Sequence, residues 1–175
     1  MRISNNLQPE ELDIMERVSG LSIDPLALAV ASNIWRAAQE LKSQMERTVL
    51  REYELTMASF STIFILWIWG PLETRQIADS QNVTRGTVTS NITLLEKRGL
   101  CTRTQSEVDR RLVLVELTSA GKTLIEQVFP LFNQGEKALV ADLTEEEQET
   151  LADLLRKIVK SNKNNIQQNG IYLGG

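Results

Sequence analysis

Along most of this chain apolar residues return every three or four positions; one stretch alternates instead. In "IDPLALAVASNIWRAAQELKSQMERTVLREY", Ile34, Ala38, Leu41, Met45 and Val49 share a face, so the spacing predicts a long amphipathic helix over 25–50. Asp24 is placed to cap it and Pro25 suits its first position. A short extra helix is expected upstream, over 8–20. "LTMASFSTIFILWIWGP" is apolar nearly all round from Ile63 to Trp69. That pattern predicts a central helix over 57–69, capped by Thr56 and stopped by Gly70 and Pro71. A short helix from Thr74 to about Asp79 follows, then a turn at "SQNV".

The next stretch, "VTRGTVTSNITLLEKRGL", is unusual. Val88, Ile92 and Leu95 recur at helical spacing, Thr84 is a cap, and Gly99 stands where a helix would stop. The opposite face carries Gly86, Thr89, Ser90, Thr93 and Lys97, with Arg85 and Thr87 in the first turn. Short hydroxyl and amide side chains, in place of the usual Glu and Lys, suit a face that reads hydrogen bonds. A recognition helix offers its N-terminal residues to base edges in the major groove, and small side chains let its backbone come close.

From Leu100 the period becomes two. "LCTRTQ" and "LVLVEL", joined by the polar "SEVDRR", predict a β-hairpin with a charged tip. Thr118 then caps a helix expected over 119–143, with a kink expected at Pro130. Thr144 and Glu147 form a capping box that opens a last helix to about 163, striped by Leu151, Leu154, Leu155, Ile158 and Val159. "KNNIQQNGIYLGG" reads as a loose tail. Short helix, turn, capped helix and charged hairpin make a helix-turn-helix followed by a wing. The fold class is mostly α with a small β-hairpin wing.

Charge sharpens this picture. The 175 residues carry a net charge of −4, so a nucleic-acid site must be a local basic patch. Residues 84–111 supply one: Arg85, Lys97, Arg98, Arg103, Arg110 and Arg111 against Glu96, Glu107 and Asp109. There is no histidine and a single cysteine, Cys101, so Ser-His and Cys-His nucleophile pairs, thiolate zinc cages and internal disulfides are excluded. No phosphate loop or paired catalytic carboxylates are found, so no enzyme and no cofactor is expected. The first twenty residues lack the apolar core of a signal peptide, and "IFILWIWG" is too short to span a bilayer, so a cytoplasmic protein without membrane partner is expected. At the hairpin tip, "DRR", an arginine can enter the minor groove while Asp109 holds its guanidinium. The alternative is a solvated turn with an ion pair inside the hairpin.

"LEKRGLCTRTQSEVDRRLVLVELTSAGK" closely resembles the multiple-antibiotic-resistance regulator (MarR) family of winged-helix transcription factors. "TRGTVTSNITLLEKRGL" matches its recognition helix, "DRR" its wing tip and "LTSAG" the start of the following helix, over roughly residues 25–160 in all. The resemblance implies a homodimer, built by N- and C-terminal helices, on a pseudo-palindromic operator in double-stranded DNA. It assigns 1–50 to an N-terminal extension and dimerisation helix, 51–118 to the DNA-binding domain, and 119–175 to C-terminal dimerisation helices and tail. By position Arg111 resembles the family's minor-groove arginine and Asp109 its partner, with Arg110 beside them. The family often has a basic residue where this chain has Ser90.

The resemblance also implies effector pockets between the dimerisation helices and the winged-helix domain. Trp35 and Trp69 lie in the right elements for such a pocket; Trp67 and its neighbours read as core. The expected effector is a small aromatic or phenolic anion that releases a repressor from DNA. The alternative is an effector-independent regulator, controlled by a protein partner or by oxidation of Cys101. Against oxidation stands the ordinary behaviour of a buried free cysteine as an inert small hydrophobe.

Overall fold

The structure, a computed structural model, describes residues 9–105 and 112–169, with side chains up to Ser161. Eight helices and three strands follow in order among these residues. They are α1 (Pro9–Val18), α2 (Pro25–Arg47), α3 (Val49–Glu52), α4 (Met57–Trp69), β1 (Leu72–Glu73), α5 (Thr74–Gln81), α6 (Arg85–Lys97), β2 (Cys101–Gln105), β3 (Val113–Leu117), α7 (Ser119–Leu139) and α8 (Glu145–Asn169). The chain divides into two compact units between Phe132 and Asn133, the second holding the end of α7 and all of α8.

The capping residues act as expected. Asp24 Oδ1 accepts from the amides of Leu26 and Ala27 at 2.9 and 3.1 Å, and Thr56 Oγ1 from that of Ser59 at 3.1 Å. In the second unit Thr144 and Glu147 close their box reciprocally, at 2.9 and 3.3 Å. Each such cap is worth about 1 kcal/mol. The extra helix α1 is held on α2 by the buried Glu11, which accepts from Asn33 Nδ2 at 2.8 Å and pairs with Arg36 at 3.3 Å.

Three expectations are corrected. The helix expected over 25–50 breaks at Thr48 (φ −105°, ψ −90°), whose hydroxyl donates to the Gln44 carbonyl at 2.7 Å. Two consecutive β-branched residues, Thr48 and Val49, and that back-bond disfavour continuing the helix. The hairpin gains a third strand, in the order β1-β3-β2, with Leu72 opposite Val115. Two residues are too few for periodicity to reveal a strand. The tail expected to be loose from 163 is helical to Asn169; no Gly or Pro interrupts the sequence between Gly135 and Gly170. Pro130 sits inside α7 without ending it, although it withholds an N–H from the Glu126 carbonyl.

The core of the first unit forms around α4, which buries Ser59, Phe60, Thr62, Ile63, Ile65 and Leu66. Phe60 stacks on Phe132 at 4.2 Å between centroids. Helix α6 contributes Val88, Ile92 and Leu95, all fully buried and each worth about 1.5–3 kcal/mol of apolar burial. Across the wing base, Cys101 pairs with Leu117 in the antiparallel register and both are buried.

The junction after the wing is tight. Gly99 ends α6 with φ +69°, a conformation other residues rarely adopt. Thr118 Oγ1 donates to the Gly99 carbonyl at 2.6 Å and accepts from the Gly121 amide at 3.1 Å. These bonds bring the first turn of α7 so close that a Cβ on Gly121 would meet the Leu100 carbonyl oxygen at 2.0 Å. The contact is with backbone, which cannot rotate away. Gly121→Ala is therefore expected to destabilise the protein by about 1–3 kcal/mol in urea unfolding, despite the better helix propensity of alanine.

Candidate nucleic-acid interface

Helix α6 is amphipathic in an unusual sense: one side is closed by apolar and amide packing, the other by hydroxyls that bond to their own helix. On the outer side Thr84, Arg85, Gly86, Thr87, Thr89, Ser90, Thr93 and Lys97 are all exposed. Thr84 Oγ1 accepts from the Thr87 amide at 3.2 Å and lies 2.9 Å from Thr87 Oγ1. Thr89 and Thr93 donate to the carbonyls four residues back, Arg85 and Thr89, at 2.8 and 2.9 Å. With their protons so engaged, Thr89 and Thr93 offer lone pairs and methyl groups outward. Those suit donor groups and thymine methyls of base edges better than phosphate, which only accepts.

Donors for phosphate come from elsewhere on the same turn. The amides of Arg85 and Gly86 have no carbonyl partner within the helix, and the helix dipole adds partial positive charge there. A Cβ on Gly86 would find only Thr84 Oγ1, at 3.8 Å. The fold thus leaves room for a side chain that the sequence does not supply, and the bare backbone stays open to an approaching ligand.

The inner side corrects one expectation. Asn91 contributes the amide among the short polar side chains of α6, and it faces inward, onto α4. Its Nδ2 donates to the Ala58 carbonyl at 3.0 Å and to Thr62 Oγ1 at 2.7 Å, and its Oδ1 accepts from Ser59 Oγ at 2.8 Å. Gln81 Nε2, at the end of α5, donates to the same Thr62 oxygen at 2.8 Å. Ser59 and Thr62 are 2% and 0% exposed, and among the described residues no buried side-chain polar atom lacks a partner. Sequence reasoning passed over Ser59, Thr62 and Gln81. Two small polar residues three apart in an otherwise apolar helix were the available signal.

The local charge is also redistributed. Arg98 donates to the carbonyls of Tyr53 and Glu54, at 2.9 and 2.6 Å, and so braces the turn where Glu54 has φ +53°. Arg103 of β2 pairs with Glu96 and reaches Thr93 Oγ1 at 3.4 Å, tying the wing to α6. Of the cations counted in the basic patch, Arg85 and Lys97 remain on the outer face of α6. Asp109, Arg110 and Arg111 lie outside the described residues.

An exposed first helical turn with open amides, backed by a second helix and followed by a three-stranded wing, is the arrangement of a winged helix-turn-helix. The sequence model of the MarR family matches residues 55–113. The HTH-type transcriptional regulator YwaE of Bacillus subtilis (strain 168) is 39% identical over 155 residues, which are 87% of this chain and 91% of that protein. The chain belongs to the MarR family. A cysteine-to-serine mutant of MarR from E. coli, complexed with operator DNA, matches with a TM-score of 0.69 and 25% identity, over 75% of this chain and 94% of that one. BpsR of Bordetella bronchiseptica, whose DNA binding is regulated by 6-hydroxynicotinic acid, matches with a TM-score of 0.68 and 27% identity, over 75% of this chain and 98% of that one. This MarR-family protein is a DNA-binding transcriptional regulator and not an enzyme.

In this MarR-family chain a cavity of about 680 Å³ opens between α2, α4 and α5. Met57, Phe60, Phe64 and Ile65 give it apolar walls, and Lys42, Glu46, Ser61 and Gln81 its polar rim. Glu46 accepts from the Met57 amide at 2.9 Å, at the start of α4. Trp35 and Trp69 do not line this cavity; they are 67% and 61% exposed. Trp67 packs at 5.9 Å from Phe129, as core. Cys101 is buried and its thiol is pushed up to about 11, first by burial and then by Glu96, with Arg103 opposing. A thiol so raised stays protonated at neutral pH, which makes it a poor nucleophile toward oxidants. No helix among the described residues is long and apolar enough to cross a membrane.

The open backbone at Gly86 separates folding from binding. Gly86→Ala is expected to leave stability in urea unchanged or raise it by up to about 1 kcal/mol, since alanine favours the helix. The same change is expected to weaken binding to a duplex that the wild-type protein selects from a random library, read by fluorescence anisotropy. Loss of stability with intact binding would contradict this account of the turn.

Proposed function

We propose that this MarR-family regulator is a cytoplasmic repressor that binds a pseudo-palindromic operator as a homodimer and leaves it when a small aromatic or phenolic anion binds. The observation that carries the DNA reading is the outer face of α6, with its unfilled Gly86, open first-turn amides and outward threonines. In this reading residues 51–118 are the DNA-binding domain. Thr84, Arg85, Gly86, Thr87, Thr89, Ser90, Thr93 and Lys97 enter the major groove, while Arg111, held by Asp109 and flanked by Arg110, enters the minor groove.

The dimer is supported by apolar faces that a lone chain leaves in water. Leu26, Val30 and Ile34 follow at steps of four on α2, with Leu12 exposed on α1; Leu151, Leu154, Ile158 and Val159 are exposed on α8. Soluble monomers rarely show such stripes. Residues 1–50 and 119–175 would supply the isologous contact.

The effector is supported by the apolar lining of the cavity, which suits an aromatic ring, with Lys42 available to an anionic group. BpsR's regulator, 6-hydroxynicotinic acid, has that chemistry. Thr56, Ala58 and Gln81 border the cavity and also bond to the set that holds Asn91. A ligand that binds better when those groups shift would favour the DNA-free arrangement by its differential affinity. The buried, protonated Cys101 speaks against control by oxidation.

Binding to the library-selected duplex, followed by light scattering, tests this reading. Two chains per duplex are expected. Arg111→Ala should weaken binding by about 1–3 kcal/mol and Asp109→Ala by less, and millimolar salicylate or 6-hydroxynicotinate should release the DNA. One chain per duplex, or wing variants that bind like wild type, would contradict the dimer or the wing; no release by either acid would favour the effector-free alternative.

A further inference from the structure

The hydrogen bonds around Asn91 form a directed chain with little freedom. The Thr62 hydroxyl donates to the Ala58 carbonyl at 3.0 Å and accepts from both Asn91 and Gln81, so its one proton and two lone pairs are all used. Asn91 has three of its four hydrogen-bonding positions engaged, and all three partners belong to α4. Thr56 Oγ1 and Ser59 Oγ, 3.2 Å apart, extend the chain to the cap of α4. Apolar packing by Val88, Ile92 and Leu95 is non-directional and tolerates small rotations of α6 about its axis. These bonds do not: a turn of α6 would break two or three of them at once and strand buried polar groups.

We propose that Asn91 is the positioning residue of the recognition helix. It touches no base. It sets the rotation of α6 on α4 and α5, and so decides how well Arg85, Thr89 and Thr93 register with base edges, while leaving general attraction to the phosphate backbone intact. Positioning of this kind governs discrimination between sequences more than affinity for DNA as such, because non-specific binding is largely electrostatic and insensitive to angle. The proposal rests on the reading of α6 as the DNA-contacting helix.

The test uses the full chain, the library-selected duplex and a scrambled duplex of the same length and composition. Thr62→Val removes the shared acceptor at constant shape, and Asn91→Leu removes the amide; urea unfolding shows which variants are folded, and Thr62→Val serves if Asn91→Leu does not fold. The folded variants should bind the selected duplex about tenfold or more weakly, with less than about threefold change on the scrambled duplex. Thr62→Ser, which keeps the hydroxyl, should restore the ratio. Folded variants with a wild-type ratio would overturn the positioning role. Arg85→Ala, on the outer face, should weaken binding to both duplexes. If it changes neither, the DNA face itself is wrongly assigned and the proposal falls with it; if it weakens both while the Thr62 and Asn91 ratios stay wild-type, positioning alone is refuted.

Discussion

The mutual orientation of α4, α5 and α6 depends on one oxygen atom, the Thr62 hydroxyl. It lies at 0% exposure inside an apolar helix; its proton goes to the Ala58 carbonyl of that helix, and its lone pairs accept an amide from each of α5 and α6. A buried amide donor left without that acceptor would cost about 1–3 kcal/mol, so the three helices gain by meeting in one arrangement and lose in neighbouring ones. Hydrophobic burial supplies most of the drive to bring α4, α5 and α6 together. The polar contacts decide how they are turned. If α6 reads base edges, as proposed, it needs that second kind of constraint.

The same division runs through the wing. Cys101, Val115 and Leu117 close the core beneath it, whereas Arg103 fixes it laterally through Glu96 and Thr93 on α6. Arg98, at the C-cap of α6, does comparable work, its guanidinium tying the end of the helix to the Tyr53–Glu54 turn. Two of the cations that make this region basic thus hold α6 in place. Among the described cations of the patch, Arg85 and Lys97 stay outward on α6, with the backbone laid bare by Gly86.

Most of the architecture was legible in the sequence because it follows from periodicity and capping. Val88, Ile92 and Leu95 announce the buried side of α6, and Asp24, Thr56, Thr84 and Thr144 each announce a helix start that the structure contains. Other features are tertiary and leave no local trace. Asn91 reads as one more polar residue on a polar helix until Ser59 and Thr62 are brought opposite it. The break at Thr48 is hidden by an apolar pattern that continues across it to Val49 and Leu50. Trp35 and Trp69 attract attention by residue type; they do not line the cavity between α2, α4 and α5, whose residues pattern alone would assign to core or surface. The outward list from Thr84 to Lys97 was readable, since it follows from knowing which side is buried.

Amide hydrogen exchange on the 175-residue chain, free and bound to its selected duplex, tests most directly whether α6 faces the DNA. The amides of Arg85 and Gly86 have no acceptor within the helix and should exchange fast in the free protein. On binding DNA, new protection centred on residues 84–90 is expected, with little change at the already buried Ile92 and Leu95. Protection that leaves 84–90 fast and appears only on other elements would show that α6 does not face the DNA.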